Sequence, residues 1–351
     1  MYLIRNHPTI HSSNHPRGGS EKNKEKTNMK MTRFLAVAIG SLSIAAYAEG
    51  EFKELVAPQG TRHANAAVYT KDNLYRIGGH SSYDTALVNR FPLKDGQPDG
   101  RIISEKSFLD KALRSPGAAV VGDNIYVAGG SIQQKGQPDV CEGNVYKLPV
   151  NADGSLGEAQ IVSTLPDKNT SNAGMISIGN KLYVVGGDKK RSCHMVEVKA
   201  DGSLGEWQEF DKLPTNLGAA GKLAELKGIL YVTGVPGHNM RSEKVYAAKL
   251  GENSLPGKWR RTSNLQVQAN GVGALVADDD SLLYFDGENG IIYRAKLDNV
   301  GELGDWIEAG KMPGNLIGFT ITRIPNGFFL MGGLVSIPPN NKYLGGILIK
   351  L

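Results

Sequence analysis

The chain has 351 residues, 40 Lys/Arg against 35 Asp/Glu for a formal charge of +5, and only two cysteines. Two cysteines in a chain of this length exclude a disulfide-dense mini-scaffold. The basic excess does not point to nucleic acid: seven basic and two acidic residues precede Glu49, and the remainder holds 33 of each sign, so no basic footprint is left.

Residues 1–28 are polar and basic with no apolar period, and read as an upstream extension, or as sequence ahead of a true start at Met29. Residues 29–48 have the form of a secretory signal. Lys30 and Arg33 supply the positive start, Leu35 to Ile44 the apolar run, and Ala46-Tyr47-Ala48 the small-residue cleavage site. Cleavage after Ala48 would deliver residues 49–351 to the periplasm or the exterior. The run is too short for a membrane span, and no cysteine follows it to carry a lipid.

From Gly50 onward one pattern recurs. A glycine and one further residue precede Phe52, Ile102, Ala159, Trp207, Trp259 and Trp306, at spacings of 50, 57, 48, 52 and 47 residues. A second marker keeps step, an aromatic residue three positions before a glycine: Tyr75/Gly78, Tyr126/Gly129, Tyr183/Gly186, Tyr231/Gly234, Tyr284/Gly287 and Phe329/Gly332. Four of these glycines are doubled; Val235 and Glu288 replace the second in units four and five. Such periodicity signals a repeat architecture. Within a unit, short apolar runs such as Ala118–Val121 and Ile125–Val127 flank a Gly-Asp-Asn turn, the mark of a hairpin. A third run (Val145–Leu148) leads through the turn Asp153-Gly154-Ser155 to the Trp strand. Each unit is thus expected to be four antiparallel strands. No window holds a helical apolar period.

The doubled glycine after a strand, the Tyr-containing strand and the Trp strand together resemble the kelch repeat, over essentially all of Glu51 to Leu351. The resemblance implies an all-β, six-bladed kelch-type β-propeller. Blades solve the problem of a lone sheet that cannot bury both faces. The last unit ends at its third strand, Gly346–Leu351, whereas the chain opens on a spare fourth strand at Glu51–Leu55. The N-terminal strand is therefore expected to pair with the C-terminal blade and close the ring.

Function is expected on the variable loops between strands two and three and on the blade links, which share one face. That face collects Arg62, His63, His80, Tyr83, Arg114, Asn172, His194, His238, Arg241, Asn270 and Asn315 as candidate ligand contacts. Cys141 and Cys193 both lie between the glycine marker and the third strand of consecutive units, and in an exported protein they are expected to form a disulfide. No spacing suggests a metal site, and no cofactor is expected. The chain reads as a monomer whose partner is a small carbohydrate or a protein ligand.

Two functions fit these residues. One is a binding module without catalysis. The other is an enzyme on sugars, since exported six-bladed kelch-like propellers include the N-acetylneuraminate epimerase family, which interconverts sialic-acid anomers. That resemblance lies in fold, leader and ring size. It would require a general acid and base, for which Glu142, Glu288, His80 and His194 are the candidates, and an arginine clamp from Arg62, Arg114 or Arg241.

Overall fold

A computed structural model describes residues 53–55, 63–80, 86–105, 109, 111–132, 139–168, 170–188, 190–218, 222–234, 241–268, 273–312, 314–335, 342–343 and 346–351. The described chain is almost entirely β-structure, with one 3-10 turn at Glu252–Ser254. Among these residues no helix is long and apolar enough to cross a membrane.

Six antiparallel sheets form a β-propeller. The innermost strands of blades 1 to 6 are Ala66–Thr70, Gly117–Val121, Gly174–Ile178, Leu223–Leu226, Gly273–Asp278 and Thr320–Ile324. Each pairs with the next strand through a tight turn, then with a third and an outer strand. In blade 6 the order is Thr320–Ile324, Gly327–Met331, Gly346–Ile349 and finally Lys53–Leu55 from the start of the domain. Lys53 opposes Leu348, Glu54 opposes Ile347 and Leu55 opposes Gly346, so the N-terminal strand does close the ring. Phe52 itself lies outside the described residues.

Side chains alternate between the two faces of each strand, and in the second strand of each blade both faces are buried. Ile125 and Val127 pack with Tyr75, Ile77 and Val88 of blade 1. Tyr126 and Ala128, on the other face, pack with Met175, Leu182 and Val184 of blade 3. Equivalent clusters sit at every junction around the ring, including blade 6 against blade 1, where Phe329 and Leu348 meet Leu74 and Phe91. Trp259 reaches back into the core of blade 3, its indole Nε1 donating to Asp211 O at 2.9 Å. Trp306 likewise packs into the core of blade 4.

The sequence markers acquire physical causes. The Tyr hydroxyl of one blade donates to a carbonyl in the outer turn of the next: Tyr75 to Gly154 O at 2.6 Å, Tyr126 to Gly202 O at 2.8 Å and Tyr183 to Ser254 O at 2.8 Å. Burial pushes the Tyr126 hydroxyl up to about 12, so it stays a donor at neutral pH. The first marker glycine lies where the link to the next blade crosses. A Cβ on Gly129 would stand 2.6 Å from Thr170 O, and φ there is +67°.

Unit five departs from the pattern. Tyr284 packs with blade 4, lying over Gly273, and Phe285 takes the face toward blade 6. Blade 6 draws its outer strand from the other end of the chain, so it has no outer turn to accept a tyrosine hydroxyl. A phenylalanine at that junction leaves nothing unpaired.

The expected disulfide is absent: both cysteines are free thiols. Cys193 opposes Val185 in the blade 3 sheet, as Val145 opposes Ala128 in blade 2. It is therefore a core position, packed with Tyr183, Phe210 and Trp259. Cys141 instead pairs with Ser131 in a small hairpin before the third strand. The two residues are not equivalent, although their shared place between a marker glycine and the expected third strand suggested that they were.

The interblade latch can be tested directly. Tyr126→Phe keeps the ring and orphans Gly202 O, and is expected to cost about 1–2 kcal/mol in urea unfolding; an unchanged unfolding midpoint would show that the latch adds no stability.

Candidate functional site

The six innermost strands enclose an axial cavity of about 1240 Å3. Its walls run from Ala64, Ser115, Asn172 and Gly318 at the end that carries the blade links to Tyr69, Ser177 and Arg323 at the other. The two ends differ in kind.

At the far end the repeated turns lock neighbouring blades. Asp153 accepts from Ser155 N at 2.9 Å and Ser155 Oγ at 2.6 Å, and Asp201 repeats this with Ser203 at 2.9 and 2.7 Å. The serine hydrogen bonds, first of all, hold both carboxyls below their usual range. These groups are occupied by their own turns.

At the link end, polar side chains line the cavity itself. The Arg114 guanidinium donates to Asp139, and both residues line the wall with Ser115, Ser131 and Cys141. At the adjacent blade Asp188 Oδ2 accepts from Ser171 Oγ at 2.8 Å and from Asn172 Nδ2 at 2.7 Å. Lys222, which enters the innermost strand of blade 4, joins this wall and is only 5 % exposed. Burial is the larger influence on its amine and the Asp188 carboxylate opposes it; together they bring the pKa down to about 8.

The backbone at this rim is strained. Ala64, Ser115 and Asn172, each two residues before an innermost strand, have φ of 54°, 52° and 56°. Gly318 occupies the same place in blade 6 with φ of 68°. A left-handed conformation costs a non-glycine residue about 1 kcal/mol, and such strain gathers where geometry matters for function.

Of the residues singled out in the sequence, Arg114 and Asn172 line the cavity. Arg62, Tyr83, His238 and Asn270 lie outside the described residues. His63 and His80 exchange backbone hydrogen bonds of 2.9 and 2.8 Å, their rings edge to face at 5.2 Å, beside the rim rather than on the wall. Arg241 is held in a two-pronged ion pair by Glu288 at 2.7 and 2.6 Å, away from the cavity lining. Glu142 is buried, receives Asn144 N at 2.7 Å and pairs with Lys111 at 2.9 Å. Asn315 is exposed outside the lining.

His194 is a correction. It is not a loop residue but belongs to the strand Cys193–Glu197, opposite Val184. Burial lowers its pKa despite the carboxylates of Glu209 and Asp167. Cys193 beside it is inert, its thiol pushed up to about 12 chiefly by burial.

Lys222, Asp188 and Asp139 were missed. Lys222 had a signal: the residue just before each innermost strand is otherwise Asn65, Pro116, Ala173, Val272 or Phe319. A lone cation in that series is the anomaly.

No protein-family model and no characterised protein sequence matches the chain. Its fold is similar to that of a solved structure titled "Structure of YjhT". The TM-score is 0.65 at 15 % identity, over 84 % of this chain and 96 % of that one. At that identity the likeness is one of fold.

Lys222 should weaken the protein that carries it. Its folded pKa, about 8, lies below the unfolded value of 10.5, so the amine opposes folding fully below pH 8 and the penalty fades as pH rises toward 10.5. Asp188 is exposed, so removing the amine strands no buried charge. Lys222→Met is expected to stabilise by about 1–3 kcal/mol at pH 7 and by much less at pH 10, measured by urea unfolding at both values.

Proposed function

We propose that this chain is an exported kelch-type propeller that binds a small, hydroxyl-rich ligand, a carbohydrate, in the link end of its axial cavity. The carrying observation is the cavity wall. Arg114 with Asp139 and Lys222 with Asp188, Ser171 and Asn172 supply charged donors and acceptors in one concave space. Carboxylates and amides that each take several hydrogen bonds suit the paired hydroxyls of a sugar. A recess of about 1240 Å3 also favours a small molecule over a flat protein partner. Export rests on the signal pattern of Met29 to Ala48, and the kelch assignment on the glycine, tyrosine and tryptophan markers.

A second reading, a sugar mutarotase of the N-acetylneuraminate epimerase type, gains one supporting feature. Lys222 beside Asp188 is an amine–carboxylate pair at the cavity wall, able in principle to move a proton at an anomeric oxygen. The acid and base candidates read from sequence give it no support: Glu142, Glu288 and His194 do not line the cavity, and neither does His80.

Calorimetric titration with a panel of monosaccharides tests the binding reading. At least one sugar is expected to bind saturably. Arg114→Ala should weaken it at least about 10-fold, as loss of a charge-assisted hydrogen bond predicts. Asp153→Ala, in a turn of the opposite end, should leave affinity unchanged. Equal effects of the two substitutions would refute the site. For the sugar that binds, anomer exchange followed by NMR should run no faster than in buffer; acceleration would favour the mutarotase.

A further inference from the structure

A site that only holds hydroxyl groups has no need of a buried amine. Arginine makes more hydrogen bonds, in a fixed fork, and keeps its charge. Nor does packing ask for a lysine here, since Asn65, Pro116 and Ala173 fill the corresponding places in blades 1 to 3. Yet blade 4 sets Lys222, itself nearly buried, at the wall of an open cavity and near a carboxylate anchored by two neighbours. With its pKa brought down to about 8, on the order of a tenth of the amine is uncharged at pH 7, against far less than a hundredth for an ordinary lysine. An uncharged, confined amine is a nucleophile.

We propose that Lys222 captures carbonyl compounds: its Nζ condenses with the aldehyde or ketone carbon of a small hydroxylated ligand, such as the open-chain form of a reducing sugar, held in the axial cavity. The inference rests on the reading of that cavity as a sugar site. The Nζ lone pair bonds to the carbonyl carbon as the C=O π pair moves to oxygen. A proton passes from nitrogen to that oxygen, giving a carbinolamine. Protonation of the hydroxyl then lets it leave as water while the nitrogen lone pair forms C=N. Amine, carbonyl and the proton returned to the hydroxyl give a protonated imine and water, and no oxidant or reductant enters. Asp188 is the neighbouring proton carrier, taking the proton from the ammonium and returning it to the departing hydroxyl.

The test uses residues 49–351 with the full propeller intact, glycolaldehyde as probe and borohydride to fix any imine, followed by peptide mapping. The peptide bearing Lys222 is expected to gain the reduced two-carbon adduct at least about ten times faster than those bearing the exposed Lys199 and Lys258. Lys222→Arg, which keeps the cation, should abolish that adduct and spare the others. Asp188→Asn should slow it while leaving the labelling of Lys199 unchanged. Labelling of Lys222 no faster than that of the exposed lysines would overturn the proposal. Should sugars still bind in that case, the cavity remains a binding site and only the amine chemistry falls; should they not, both readings fall.

Discussion

Everything in this protein follows from sheets that are apolar on both faces and too narrow to cover themselves. A four-stranded blade has one neighbour on each side, and each junction holds its own core. Ile125 and Val127 serve the junction with blade 1, while Tyr126 and Ala128 serve that with blade 3. A blade therefore has no stable state apart from its neighbours, and the ring must close. Closure falls to three residues, Lys53–Leu55, paired along Gly346–Leu348. The strand that begins the domain thereby joins the two chain ends in one sheet.

That requirement divides the molecule into two ends with different work. At one end the repeated Asp-Gly turns receive the tyrosine hydroxyls of the preceding blade, and their carboxylates are spent on their own serines. At the other end the links cross the marker glycines so closely that a Cβ would collide with the carbonyl passing over it. The links are thus fixed in space while their side chains remain free to vary. Three of them hold non-glycine residues in the left-handed region, where glycine would be more stable. Ser115 and Asn172, two of the three, bring polar groups to the cavity wall.

The repeat was readable because packing imposes it on every unit. A glycine that admits a passing backbone and a tyrosine that latches to the next blade cannot drift, and the ring number follows from counting them. The same logic explains the lapse at Tyr284. Its spacing to Gly287 matches the other units, but its strand presents Phe285 to blade 6, a facing that spacing alone does not encode. Cys193 misled in a similar way: like Cys141 it follows its glycine marker ahead of the expected third strand, whereas in register it matches Val145. The site was less legible still. Arg114 and Asn172 could be placed on the right face because links are recognisable, but which polar residues turn to the axis depends on strand register. Glu142, Glu288 and His194 have the chemistry and lack the position. Lys222 has the position, and its residue type had to be compared across the six units to stand out.

The central claim is that the link end of the axial cavity is the working part of the propeller and the turn end its frame. Amide hydrogen exchange, measured with and without a sugar that binds, compares the two ends in one experiment. Added protection in residues 113–117, 170–173, 187–188 and 222–224, with residues 153–155 and 201–203 unchanged, is the expected result. Protection confined to the turns, or spread evenly over both ends, would contradict it.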